Sequence, residues 1–250
     1  MTDTVDLPPV RFAALVAPAV DRVFVTGIRA ALDGGRELVD RYGGARAVGY
    51  LVDLRNPLAA GRTVTRDGLA GVYRYSDPAA VDRTVQGSVD HGLLARTPDG
   101  GLAATERGRE FLRELSALLA RALAERWQGH DGTVERLNRS LARVLADAAA
   151  TAGAAWAVQA PPHEPAGTPP PVLLLNRLST LRYHRADAHA AAWREAGLTA
   201  AEMVAMSRGS PWTPQRQAVE DETNRRAAPP FAVLTPKERL TMLADLAALP

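Results

Sequence analysis

The stretch that decides the fold is GLLARTPDGGLAATERGREFLREL, residues 92–115. Its centre, PDGG (98–101), is typical of a hairpin turn, because glycine adopts the backbone conformations that such a turn requires. Short apolar segments flank this turn, and we expect strands at 93–96 and 102–104. Thr105 then stands where a helix N-cap residue is expected, ahead of an amphipathic segment. The stretch therefore predicts a β-hairpin followed directly by a long helix.

Two short helices are predicted immediately before the hairpin. Thr65 is a favourable N-cap for a helix over 66–73. Asp77, followed by a proline, predicts the start of a second helix over 79–91, and a glycine follows that helix at its C-terminal end. Helix, helix, hairpin and long helix in this order form a winged-helix module, which we place at about 64–126.

The rest of the sequence predicts further helices. Apolar residues recur at helical spacing along most of it. Segment 159–171, QAPPHEPAGTPPP, is proline-rich and predicts either a linker or a long surface loop. The expected fold class is therefore mainly α. It comprises a helical N-terminal unit over 1–158, with the winged helix and its small β-hairpin wing, and a second helical unit over 172–250.

Composition excludes several classes of function. The 250 residues include no cysteine, which rules out disulfides, thiolate nucleophiles and cysteine zinc sites in this chain. The formal net charge is only +2, which is not the field of a non-specific nucleic-acid binder. No apolar stretch reaches the roughly 18 residues of a membrane span. Residues 1–9 lack the apolar run of a signal peptide, so we expect a cytoplasmic protein without membrane contact.

A winged helix places its second helix in the major groove of DNA and its wing on phosphates. The candidate DNA-binding residues, from the predicted helices, the wing and the segment before them, are Arg62, Arg66, Arg74, Arg83, Gln86 and Arg96. The second helix also carries three aspartates against one arginine, a poor match to a polyanion. A solvated or partner-facing surface is therefore the alternative interpretation of this helix.

A second constellation falls within two turns of one predicted helix. Its members are Arg182, His184, Arg185, Asp187 and His189. In one interpretation these residues line a cleft that binds an anionic small molecule, with the arginines as clamps and a histidine available for proton transfer. In the other, Asp187 forms ion pairs that only fix the packing of helices. The two histidines are about 140° apart around a helix, so we expect no metal site, and no cofactor motif is present.

Short motifs along the chain resemble two related groups of proteins. Residues 1–126 resemble a MarR-type winged helix, and the motif that carries the resemblance runs from Gly92-Leu93-Leu94 through Thr105 and Gly108 to Leu112. A further resemblance is to a largely uncharacterised actinobacterial helix-turn-helix family, carried by three islands. These are Gly49-Tyr50 with Arg55 and Pro57-Leu58; Leu181-Arg182, His184-Arg185, Asp187 and His189; and Glu222-Thr223, Arg225, Ala227 to Pro230 and Leu234. The resemblance implies a helix-turn-helix fold and implies no reaction.

Three functions remain open from the sequence. The first is a winged-helix transcriptional regulator that binds duplex DNA, responds to a ligand and forms a homodimer through long helices such as 106–126. The second is a small-molecule-binding protein or an enzyme, with a pocket for an anionic ligand beside the helix at 182–189. The third is a protein-interaction module. The sequence does not decide whether the protein is an enzyme.

Overall fold

The computed structural model describes residues 6–151, 153–208 and 212–250. Over these residues the chain is mainly helical with one small antiparallel sheet, as the composition and periodicity predict. The α-helices are α1 Pro9–Asp33, α2 Arg36–Arg41, α3 Ala45–Asp53, α4 Arg55–Ala59, α5 Arg66–Val72, α6 Pro78–Asp90, α7 Glu106–Arg126, α8 Asp131–Ala148, α9 Ala154–Gln159, α10 Pro170–Glu195, α11 Ala200–Arg208, α12 Pro214–Ala227 and α13 Pro236–Ala248. The strands are β1 Leu94–Arg96 and β2 Leu102–Ala104, and 3₁₀ helices cover Ala149–Thr151 and Pro229–Val233.

The predicted hairpin is confirmed. Strands β1 and β2 pair antiparallel, with Leu94 opposite Ala104. Gly100 takes a φ of +79° in the turn, a conformation that strains residues with a Cβ. Val64 adds a single bridge to Leu102 on the other side of β2. The hydroxyl of Thr105 accepts a hydrogen bond from the amide of Gly108, which caps α7, and a cap of this kind contributes about 1 kcal/mol.

Capping side chains also begin the two helices before the hairpin. Thr65 accepts a hydrogen bond from a backbone amide at the start of α5, and Asp77 accepts from two amides at the start of α6. Helix α6 packs against α3, where the Ser88 hydroxyl donates to the carbonyl of Ala47 at 2.7 Å. The opposite side of α6 faces solvent.

Helix α10 lies at the centre of the fold. It packs against α1, α7, α8, α9 and α12, and it buries apolar side chains on several sides, including Leu174, Leu178 and Trp193. Pro18 lies inside α1, which continues through it to Asp33. Of the helices in the described ranges, none is both long enough and apolar enough to cross a membrane.

Most of the proline-rich segment 159–171 lies between α9 and α10, over residues 160–169, and is held against the fold. Arg62 donates hydrogen bonds to carbonyl oxygens of Ala160 and Pro161, and Asn176 donates to the carbonyl of His163 at 2.9 Å. Helix α10, which follows the segment, packs on α8 and α9, which precede it. Elements on both sides of this segment thus share one apolar core.

The apolar side of helix α7 packs against other helices of the same chain. Phe111, Leu115, Leu119 and Leu123 are buried on this side, and α1 packs against the helix. Its solvent side includes exposed arginines such as Arg113. Dimerisation through this helix stays a prediction.

Candidate functional site

A groove of about 930 Å³ opens between α1, α10 and α12. Helix α1 lines it with small or branched apolar side chains: Ala13, Ala14, Val16, Ala17, Pro18 and Val20. Small residues at these positions leave space above the helix that larger side chains would fill. Helices α10 and α12 line the groove mainly with charged and hydrogen-bonding groups. The groove therefore has one apolar wall and one polar wall.

Helix α12 supplies a polar stripe. Arg216, Glu220 and Asn224 follow one another at intervals of four residues and so share a face of the helix. The Arg185 guanidinium of α10 donates to a carboxylate oxygen of Glu220 at 2.9 Å and to the amide oxygen of Asn224 at 2.8 Å. Val219 lies on the buried side of α12. This division orients the stripe toward the groove.

Tyr75 enters the groove from the turn between α5 and α6. Its hydroxyl lies 2.6 Å from Nδ1 of His189 and accepts a hydrogen bond from the indole Nε1 of Trp193 at 3.1 Å. Nε2 of His189 lies 3.7 Å from a carboxylate oxygen of Glu220. Burial lowers the pKa of His189, while the nearby Glu220 charge opposes this effect. The imidazole is therefore neutral at pH 7.

Two further arginines line the groove. Arg216 lies over the ring of Trp212 at 4.2 Å, and within the described residues no carboxylate lies at ion-pair distance from it. Trp212 is 55% exposed, which is unusual for the largest apolar side chain. Arg182 pairs with Asp21 at 2.6 Å and lies 4.3 Å from the centre of the Phe24 ring. Arg216 is thus the groove cation whose charge is least neutralised.

The other side of α10 holds internal contacts. Asp187 forms a buried ion pair with Arg74 and accepts hydrogen bonds from the backbone amides of Ala155 and Trp156 at the start of α9. Nε2 of His184 lies 2.8 Å from the Thr151 hydroxyl. Burial lowers the pKa of His184. These contacts join α10 to α5 and α9.

The five constellation residues therefore divide between two environments. Arg182, Arg185 and His189 present polar atoms along the groove. His184 also borders the groove, whereas Asp187 lines a separate, smaller pocket, and the polar atoms of both side chains bind internal partners. The cleft interpretation and the packing interpretation thus each describe part of the constellation.

The candidate DNA-binding residues divide in a similar way. Arg62 binds carbonyls of the proline-rich loop and Arg74 binds Asp187, so neither guanidinium is presented to solvent as a free phosphate ligand. Arg66 and Arg96 are exposed, and within the described residues neither has an ion-pair partner. Two α6 side chains lie near carboxylates at the ends of their own helix: Arg83 lies 3.8 Å from Asp77, and Gln86 donates to Asp90 at 2.8 Å.

The sequence reasoning missed the contribution of α12. Arg216, Glu220 and Asn224 were not among the candidates, although their four-residue spacing is visible in the sequence. That spacing predicts a shared face, but it does not reveal that this face meets α10. Tyr75 was missed as well, because its partner His189 lies 114 positions away.

Comparison of the chain with protein-family models, with curated proteins and with solved structures gives no significant match. The winged-helix family resemblance therefore stays a prediction. Within the described residues there is also no group of three histidine, aspartate or glutamate side chains placed to hold a metal ion.

Proposed function

We propose that the protein binds a small organic anion with an apolar or aromatic body in the groove between α1, α10 and α12. The observation that carries the proposal is the convergence of Arg216, Arg185 and Tyr75 on one wall of a groove whose opposite wall is apolar. Ligand sites generally combine apolar walls with a few oriented polar groups, and their usual volumes include the one found here.

The charges of the groove favour an anion. Arg182 and Arg185 each face a carboxylate, Asp21 and Glu220 respectively. Arg216 adds a positive charge without a carboxylate partner in the described chain. With His189 neutral, these groups leave the groove with a net charge of about +1 at pH 7. An anionic group beside Arg216 would complete the charge balance.

The exposed indole of Trp212 favours a flat apolar body. One face of the Trp212 ring lies against the guanidinium of Arg216. A ligand that covers the indole and the alanine side chains of α1 removes apolar surface from water, which stabilises the complex by about 25 cal/mol per Å² before the costs of association. The apolar body and the anionic group would thus occupy neighbouring parts of one site.

Fluorescence titration with anilinonaphthalene sulfonate tests this proposal, because the probe combines aromatic rings with a fixed negative charge. We expect saturable binding to the folded protein at one site. Arg216→Glu should raise Kd at least about tenfold, since an interaction with a charged group contributes about 1.5 kcal/mol or more. Ala17→Trp should weaken binding by filling the groove.

The matched control is Arg139→Glu, which makes the same charge change on the exposed surface of α8. It should leave Kd within about twofold, because interactions between exposed charges are largely screened. Equal Kd values for the wild type, Arg216→Glu and Ala17→Trp, with circular dichroism showing intact folds, would place the probe elsewhere and refute the proposal.

A second candidate function is binding of duplex DNA by a winged helix. The order α5, α6, β1, β2, α7 and the bridge from Val64 to Leu102 support it, and Arg66 and Arg96 offer exposed cations for phosphates. The exposed carboxylates of Asp77, which caps α6, and of Asp90, at the end of α6, oppose it. Tyr75 connects the two proposed sites, because it lines the groove and lies in the turn before α6. If both proposals hold, a ligand in the groove would contact Tyr75 and so alter the position of α6.

Electrophoretic mobility shifts with a mixed-sequence duplex over a range of salt concentrations test DNA binding. Arg66→Ala and Arg96→Ala should each reduce the slope of log affinity against log salt by about 1, the effect of losing one phosphate contact. Arg83→Ala should have a smaller effect, because Asp77 lies beside Arg83. The absence of any shift at low salt would remove this function.

A further inference from the structure

We propose that Tyr75, His189 and Glu220 form a proton relay that removes a proton from a carbon acid bound in the groove. A carbon acid here is an organic molecule whose C–H bond lies beside a carbonyl or a similar electron-withdrawing group. The inference rests on the proposed function, because the substrate has to occupy the same groove. It adds an activity to binding and assigns that activity to three side chains.

The hydrogen bonds fix the direction of the relay. An indole N–H can only donate, so the Tyr75 oxygen accepts from Trp193. The single hydrogen of the phenol is then free to be donated to Nδ1 of His189 at 2.6 Å. With Nδ1 as an acceptor, neutral His189 carries its own hydrogen on Nε2, which faces Glu220 at 3.7 Å. That distance is too long for a hydrogen bond and short enough for attraction between charges.

The phenol is the accessible end of the relay. Tyr75 is 38% exposed and lines the groove, whereas the side chains of His189 and Glu220 are 21% and 26% exposed. Of the three side chains, a ligand in the groove therefore meets that of Tyr75 most readily. Trp193 donates to that oxygen and so stabilises negative charge on it as the proton leaves.

The chemical step is a double proton transfer. The substrate C–H proton passes to the Tyr75 oxygen while the phenol proton passes to Nδ1 of His189. The electron pair of the broken C–H bond stays on the substrate as an enolate or an equivalent anion. The imidazolium that forms faces the carboxylate of Glu220, and the substrate anion shares the groove with Arg216. Return of the proton to another atom of the anion completes an isomerisation, without an oxidant or a reductant.

Charged groups on three elements set the protonation states. The groups that face His189 are Arg74 and Tyr75 from the turn before α6, Arg185 from α10, and Arg216 and Glu220 from α12. Burial lowers the pKa of His189 and raises that of Tyr75. At pH 7 the imidazole is thus free to accept a proton, and the phenol still holds one to give.

The test uses the full chain and a nitro-substituted benzisoxazole as the probe. A base removes the proton from the one C–H bond of the isoxazole ring, the C–H electron pair forms a nitrile, and the N–O bond breaks to release a coloured phenolate. We expect turnover above the buffer rate. Tyr75→Phe and His189→Gln should each lower the rate at least about tenfold, since a positioned acid or base contributes about 10² or more.

A pH profile separates this role from a structural one. The wild-type rate should rise with pH through the pKa of His189, below the usual value of about 6.5, and this inflection should be absent in His189→Gln. The control His91→Gln changes an exposed histidine outside the groove and should keep both rate and profile. Equal rates and profiles in the wild type, Tyr75→Phe and His189→Gln would overturn the relay.

Titration of the same samples with anilinonaphthalene sulfonate distinguishes the two proposals. Groove-specific binding without turnover would refute the relay and leave the binding function standing. If the wild-type protein shows neither binding in the groove nor turnover, the relay and the binding function are both refuted. Binding together with turnover that depends on Tyr75 and His189 supports both.

Discussion

The two sides of helix α10 carry similar side chains in different surroundings. On the inner side, Asp187 is satisfied by Arg74 and two backbone amides, and His184 by the Thr151 hydroxyl. On the groove side, His189 meets a half-exposed tyrosine, beside an arginine on α12 that has no carboxylate partner in the described chain. Complete partnering identifies a structural polar group, and incomplete partnering beside a cavity identifies a candidate site.

The largest expected effect concerns the inner side. Asp187→Ala leaves Arg74 as a buried, unpaired cation, since the two side chains are only 8% and 9% exposed in the native pair. We expect a loss of about 3–5 kcal/mol in the free energy of unfolding, measured by urea denaturation. On the groove side, Glu220→Gln should lose less than about 1 kcal/mol, because the Arg185–Glu220 pair is more exposed. Equal losses in the free energy of unfolding for the two variants would contradict the difference between the two sides of α10.

A smaller effect is expected at Gly153, which precedes α9. A Cβ at this position would lie 2.6 Å from the carboxyl carbon of Asp187, so the carboxylate has to move. Gly153→Ala should therefore lose about 1–3 kcal/mol of stability. Gly49→Ala is the control, because Gly49 lies in the middle of helix α3 and a Cβ at this position has no atom within 4 Å. This substitution should leave stability unchanged or raise it by up to about 1 kcal/mol. Equal unfolding midpoints for the two variants would show that Asp187 tolerates displacement.

The smallest expected effect is the pH dependence from His184. Burial lowers its pKa in the folded state, although the charge of Asp187 opposes this, so below about pH 6.5 the unfolded chain binds a proton more readily than the folded chain. The stability that neutral His184 provides is thus complete above about pH 6.5 and is lost as pH falls toward the folded-state pKa. His184→Gln should reduce the loss of stability between about pH 7.5 and 5.5. A dependence identical to that of the wild type would exclude His184 as its source.

The parts of the fold that could be predicted are those set by residues close together in the sequence. The turn sequence PDGG, the N-cap residues Thr65, Asp77 and Thr105, and helical periodicity act over a few residues, and each gave an element close to the observed one. Apolar periodicity is less informative over 131–157, because it does not mark where α8 ends and where α9 begins. The separate start of α9 lets its first amides donate to Asp187, a contact between distant parts of the chain.

The candidate site was only partly predictable for the same reason. The spacing along the helix predicts a shared face for His184 and Asp187 and another for Arg185 and His189, but it does not say which pair faces inward. The answer depends on Arg74 and Glu220, which come from separate elements. Helix α10 buries apolar residues on several sides, so its own pattern does not mark one solvent face.

The indole signals of the four tryptophans test the central claim most directly. In an NMR titration of ¹⁵N-labelled protein with anilinonaphthalene sulfonate, Trp212 and Trp193 report on the groove, because Trp212 lines it and Trp193 donates to Tyr75. Trp156 reports on the inner side, where its ring lies against His184, and Trp127 reports on the buried core. We predict that the indole signals of Trp212 and Trp193 shift with saturation while those of Trp156 and Trp127 stay in place. A shift of Trp156 without Trp212, or no shift of any indole, would contradict the assignment of the groove as the ligand site.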